Sequence, residues 1–239
     1  MRPLLLSLLL AAAASAQGRL AFEAETLDFG RIDEADGSVE RTFRFSNAGD
    51  APLRLARVQA ACGCTTPSWT DGEVAPGASG TIEVAYDPTG RPGPFDKPIY
   101  VEAEGAEAVY LQITGVVRPA LAERGVRVGA LAFEAVEKDV GTIPAGEPLQ
   151  TGLQFANVGE RPVRVERVEA PAGVEVSTSD RPIAPDMLGG LFVSVENPAA
   201  HSAEDRVVVD LVLHTTDPEE PVKRVRVTGR IGPAIGGGE

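Results

Sequence analysis

The chain has 239 residues, a net charge of −13 from 35 acidic and 22 basic side chains, and two cysteines. So acidic a balance excludes nucleic acid and anionic membrane surfaces as expected partners, because both call for a basic footprint. Lys97, Lys138 and Lys223 are the lysines; with abundant Ala, Gly and Pro, this reads as compositional bias rather than as a site.

Residues 1–16 read as an export signal. Arg2 supplies the positive start, Leu4 to Ala13 forms a short apolar run broken by Ser7, and Ala14-Ser15-Ala16 is a small-residue cleavage site before Gln17. Removing Arg2 with the signal leaves 21 basic against 35 acidic residues, a net charge of −14. The run is too short for a stable anchor, and no later stretch approaches the roughly 20 apolar residues that span a bilayer. No cysteine follows the cleavage site to carry a lipid. The expected mature protein is soluble and exported, periplasmic or extracellular, with no membrane insertion.

The remainder of the chain repeats itself once. Asp28-Phe29-Gly30 returns as Asp139-Val140-Gly141, and Phe43 to Gly49 returns as Leu153 to Gly159, ending Asn47-Ala48-Gly49 and Asn157-Val158-Gly159. Pro52-Leu53-Arg54-Leu55 returns as Pro162-Val163-Arg164-Val165. In this register Cys62-Gly63-Cys64 meets Ala172-Gly173-Val174, so the second copy keeps the glycine and loses both sulfurs. A period of about 110 residues fits a whole small domain rather than a solenoid unit.

Within each copy the apolar residues alternate. Phe43 and Phe45, then Ile82, Val84 and Tyr86, then Val109, Leu111 and Ile113 each share one parity, as do Val207, Val209, Leu211 and Leu213 in the second copy. Period two places one face of each strand on a core and predicts that Phe45 and Phe155 are equivalent inward residues. Turn signals such as Asp36-Gly37, Pro76-Gly77, Gly189-Gly190 and Asp217-Pro218 break the runs. No long amphipathic helix is expected. About seven short strands per roughly 100 residues predict an all-β chain of two tandem immunoglobulin-like β-sandwiches. Their expected bounds are 19–118 and 124–231, with a polar join near 118–124 and a disordered tail at 232–239.

The first copy resembles a family of exported bacterial proteins of unassigned function, with an immunoglobulin-like fold related to Hydin-type (ASH) domains. The matching residues are Leu27-Asp28-Phe29-Gly30, Phe43 to Gly49, the Cys-Gly-Cys-Thr motif within Ala61 to Pro67, Val74 to Gly80, and Gly90-Arg91-Pro92-Gly93-Pro94-Phe95. The second copy matches at scaffold positions and departs at the cysteines and at the Gly-Arg-Pro-Gly loop. The resemblance implies the fold and supplies no activity.

Cys62 and Cys64 carry three open readings. Side chains at i and i+2 of a regular strand lie too far apart for a disulfide, so a bridge needs a bend, which Gly63 would permit. An oxidising compartment favours that bridge, and so small a loop would add little stability and be easily reduced. Two thiolates would alternatively suit Cu(I), whereas zinc would need two more ligands and the first copy has no histidine. The third reading is a pair of small buried hydrophobes, favoured by Ala172 and Val174 at the matching positions. His201 and His214 read as surface residues. Ser79 lacks the nucleophile-elbow pattern, no Gly-rich loop opens a helix, and the carboxylates are scattered, so no enzyme or cofactor is expected. Trp69 reads as core filler or as an anchor for a partner, and Arg91 and Phe95 as a rigid loop that offers a recognition surface. The expected function is a non-catalytic binding or structural module of the cell envelope, its partner an envelope protein or other component. The alternative is a redox-active or copper-handling protein working through Cys62 and Cys64.

Overall fold

The computed structural model of the chain describes residues 17–234. The expected export signal and residues 235–239 of the expected tail lie outside the described residues. The fold is all-β, because alternating side chains let each strand bury one face and leave the other in water. Along Ser79–Tyr86, for instance, Gly80, Ile82, Val84 and Tyr86 are buried while the residues between them are exposed or half-buried.

The first copy contributes β1 (Leu20–Phe22), β2 (Thr26–Asp33), β3 (Val39–Asn47), β4 (Leu53–Ala60), β5 (Thr65–Trp69), β6 (Glu73–Val74), β7 (Ser79–Tyr86), β8 (Gly93–Glu104) and β9 (Val109–Arg118). They form two sheets, ordered β1-β3-β7-β5 and β2-β9-β8-β4-β6. Pro67, which has no N–H to donate, sits in β5 at the edge of its sheet, where the ladder tolerates it. The stretch read as a polar join contains a one-turn helix, α1 (Leu121–Arg124), whose Leu121 is buried.

The second copy contributes β10 (Val126–Val128), β11 (Leu131–Phe133), β12 (Glu137–Pro144), β13 (Leu149–Asn157), β14 (Val165–Glu169), β15 (Val174–Thr178), β16 (Leu188–Val195), β17 (Ser202–Ala203), β18 (Arg206–Thr215) and β19 (Val222–Gly232). Their sheets run β10-β11-β13-β16-β15 and β12-β19-β18-β14, with β17 paired to β18. Strand β12 lies parallel to β19. One core joins the inner faces of both sheets, with Leu153, Phe155 and Val193 from one and Val207, Leu211 and Val227 from the other. Strand β19 runs through Gly232, where the tail is expected to start. The described residues divide into two compact units: one holds 17–28, Glu40–Tyr86 and Asp96–Thr114, the other Phe29–Val39, Asp87–Phe95 and 115–234.

The two copies share their fixing contacts as well as their strands. Leu20-Ala21-Phe22 of β1 pairs with β3 so that Phe22 faces Phe45, and Leu131-Ala132-Phe133 of β11 pairs with β13 so that Phe133 faces Phe155. The ring centroids lie 5.6 Å apart in the first pair and 5.2 Å in the second. A fully buried asparagine closes each β3-type strand. Asn47 Nδ2 donates to the carbonyls of Ala51 at 2.8 Å and Val74 at 2.9 Å, and Asn157 Nδ2 donates to those of Arg161 and Ile183, each at 2.8 Å. Each Oδ1 accepts the N–H of the glycine two residues on, at 3.0 Å. The side chain thereby ties the loop backbone on either side of it to the end of the strand.

Phe45 and Phe155 are buried at equivalent inward positions, as the alternation requires. Each ring lies over a glycine of the neighbouring strand: a Cβ at Gly80 would collide with the Phe45 ring, and one at Gly189 with the Phe155 ring. Gly80→Ala and Gly189→Ala should each destabilise by about 1–3 kcal/mol, the range for overpacking a filled core. Denaturant melts check this, and unchanged melts would show that the rings move aside freely.

Candidate functional site

The first unit presents two features beyond its core. One is the turn between β4 and β5, which carries Cys62 and Cys64. The sulfurs are joined in a disulfide with the Cα atoms 5.3 Å apart. This is possible because the residues lie in a turn, Cys62 to Thr65, closed by the Thr65 N–H on the Cys62 carbonyl at 3.4 Å. Cys64 is 5% exposed, whereas Cys62 is half-buried and Gly63 exposed. The buried Thr65 hydroxyl lies 3.7 Å from each sulfur.

One expectation about this turn needs correction. Gly63 lies outside the left-handed region, so the bend does not depend on its freedom; Gly173 in the second copy is the one held at φ +80°. A Cβ at Gly63 would meet no residue within 4 Å other than the adjoining cysteines. Of the matching residues, Ala172 is exposed, whereas Val174, the counterpart of Cys64, is half-buried and packs against the core of the second copy.

The other feature is the outward face of the β8–β9 pair. Tyr110 is 70% exposed, and its ring lies 5.3 Å from that of half-buried Tyr100. Gln112 donates to the Asp96 carboxylate on the same strands. On neighbouring β4, Gln59 pairs with Tyr100 and Arg57 with Glu102. Behind this polar and aromatic layer, Ile99, Val101, Leu111 and Ile113 close the core. The sequence carried the signal, since Tyr110 and Gln112 stand on the opposite parity to Leu111 and Ile113. An aromatic residue on a polar parity marks a ring aimed at solvent.

The residues read as partner-binding candidates are placed differently. Trp69 is half-buried at the end of edge strand β5, facing Ile82 in register. Arg91 is exposed, but its guanidinium donates to the Thr89 carbonyl at 2.6 Å and so is tied to its own loop. Phe95 is corrected from recognition residue to core residue. It is 7% exposed, and its ring packs edge-on against Phe29 at 5.9 Å, because Gly93–Phe95 belongs to β8 rather than to the loop. A Cβ at Gly115 would also collide with that ring.

In the second copy, His201 is half-buried in a 3-10 turn, Pro198–His201. His214 Nε2 lies 2.9 Å from Glu169 Oε1 and 3.0 Å from Arg167 Nη2. Hydrogen bonds from Arg167 first and His214 second hold the Glu169 carboxyl below its ordinary value. No group of three or more His, Cys, Asp or Glu residues able to hold a metal ion occurs among the described residues. A depression of about 790 Å³ is lined by Gln17–Leu20, Ala48–Asp50 and Glu107–Val109, and includes neither the cysteines nor Tyr100 and Tyr110.

Residues 20–117 match the model of a family described as protein of unknown function (DUF1573). No curated protein matches the chain. Among solved structures, a protein of unknown function from Porphyromonas gingivalis W83 is 18% identical, over 88% of this chain and 99% of its own, with a TM-score of 0.41. An endo-fucoidan hydrolase of glycoside hydrolase family 107 is 10% identical over 91% of this chain and 29% of its own, with a TM-score of 0.44. The ASH/PapD-like domain of human CEP192 is 12% identical over 50% of this chain and 99% of its own, with a TM-score of 0.38.

Proposed function

We propose that the chain is an exported, non-catalytic binding module of the cell envelope that holds a protein partner on the outward face of β8 and β9. One observation carries the reading: Tyr100 and Tyr110 pair on a solvent-facing sheet surface whose opposite side is a complete core. Tyrosine offers large, rigid contact area with a polar tip, and it is enriched where proteins bind. Gln59, Gln112, Arg57 and Glu102 around the pair form the polar rim that such a patch needs. Export is supported by the signal pattern of residues 1–16, and no helix among the described residues is long and apolar enough to cross a membrane.

A photo-crosslinking side chain placed at Gln59 tests this in the native envelope. The expected result is a discrete adduct absent from the same probe at exposed Glu166 of the second copy. Equal adduct patterns from the two positions, or none from either, would remove the reading.

The redox or copper reading is favoured by a separate observation, the half-buried Cys62 beside exposed Gly63 in the turn. Copper(I) would engage the pair only after reduction, since it binds thiolates.

A further inference from the structure

The Cys62–Cys64 turn is built in a way that stability does not explain. A bridge between residues two apart closes almost no loop, so it constrains the unfolded chain very little. Its two sulfurs are also unequal. Cys64 is 5% exposed, while Cys62 is half-buried beside exposed Gly63, and no residue other than the two cysteines comes within 4 Å of where a Cβ at that glycine would lie. Cys62 is therefore the more accessible residue of the pair. Below them, the buried Thr65 hydroxyl is 3.7 Å from both and can donate to whichever sulfur carries charge.

We propose that Cys62–Cys64 is a thiol–disulfide exchange site that accepts two electrons from a dithiol, with Cys62 as the sulfur attacked. A thiolate of the dithiol attacks Cys62 Sγ. The Cys62–Cys64 bond breaks, and Cys64 leaves as a thiolate that receives the Thr65 hydrogen bond and then a proton. The second thiol of the dithiol attacks its own partner sulfur in the mixed disulfide and releases Cys62. The dithiol becomes a disulfide, losing two electrons and two protons, and the protein gains both as two thiols. The second copy has no sulfur in the matching turn, Ala172-Gly173-Val174, so the activity belongs to the first copy alone.

The test uses the full mature chain with dithiothreitol as the dithiol. Two thiols should be released from folded protein at a rate proportional to dithiothreitol, with circular dichroism and the melt unchanged. The Cys62→Ala, Cys64→Ala double variant should likewise melt close to wild type. In single variants, Cys62 of Cys64→Ser should react with an aromatic disulfide reagent about tenfold or more faster than Cys64 of Cys62→Ser, following its access. Thr65→Val should slow reduction about five- to tenfold, and Thr65→Ser should restore it, as expected for a hydrogen bond to the leaving sulfur. Release of thiols only as the protein unfolds, or equal rates for the two single variants, would overturn the proposal. So would reduced protein that retains copper one-to-one and no longer exchanges, which would make the turn a metal site.

Discussion

Lys223→Met is expected to destabilise the protein by about 3–5 kcal/mol, the usual cost of removing one partner of a buried ion pair. Lys223 and Asp217 have side chains fully removed from solvent, and Nζ lies 2.7 Å from Oδ2. The ammonium also donates to the Glu220 carbonyl. Asp217 in turn accepts the N–H of Ala130 at 2.8 Å and of Glu219 at 3.0 Å, which pins the turn after β18 to the start of β11. Burial pushes the Asp217 carboxyl up, but the Lys223 hydrogen bond and the two N–H donors outweigh it and leave the group below its ordinary 3.8. A depressed carboxyl contributes stability that is present above the unfolded value and lost as pH falls through the folded one. Wild type should therefore weaken below about pH 4. In Lys223→Met the carboxyl is left without its cation, so the gap to wild type should narrow over the same acid range as it is protonated. Urea melts at neutral and acidic pH measure both effects. A loss under about 1 kcal/mol at pH 7 would mean that water reaches the pair.

Phe45→Ala and Phe155→Ala should each cost about 3–5 kcal/mol, the range for an aromatic side chain removed from a packed core. Phe45 is 1% exposed and Phe155 0%, each seated over a glycine and against a second phenylalanine from the neighbouring strand. Because glycine leaves no side chain to collapse inward, the cavity cannot be refilled from that side. Chemical denaturation of the two variants reads the cost, and values near zero would mean that the inward and outward faces of β3 and β13 had been exchanged.

The fold was legible because one physical signal, period-two alternation, runs through nearly every strand and appears twice. The matching short strands β1 and β11 were harder to see. Leu20-Ala21-Phe22, at a sheet edge, and Leu131-Ala132-Phe133, between β10 and β13, are three-residue pieces, too short for alternation to register, although they are identical. Lys223 shows a signal that was present and outvoted. It stands on the parity of Val225 and Val227, hence inward, yet lysine as a residue type argues for the surface. Its acid, Asp217, lies in a turn six residues away, and only the folded hairpin brings the two together. Phe95 misled in the opposite direction, since turn-forming Pro92, Gly93 and Pro94 masked the start of a strand. At the cysteine turn the shared glycine misled too. Conformational need holds Gly173, whereas Gly63 lies in ordinary backbone beside open space. Inequality of exposure between two sulfurs two residues apart is set by the packing of the turn, and no spacing rule reports it.

The most direct measurement of the central claim, that the first copy works through the outward face of β8 and β9, pairs binding with stability in one variant. Tyr100→Ala, Tyr110→Ala removes the aromatic pair and leaves Ile99, Val101, Leu111 and Ile113 beneath it in place. The expected result is a melt within about 1 kcal/mol of wild type, as for surface substitutions away from the core. The yield of the Gln59 crosslink in the native envelope should fall about tenfold or more, as when a hot spot is truncated. An undiminished crosslink at unchanged stability would contradict the account.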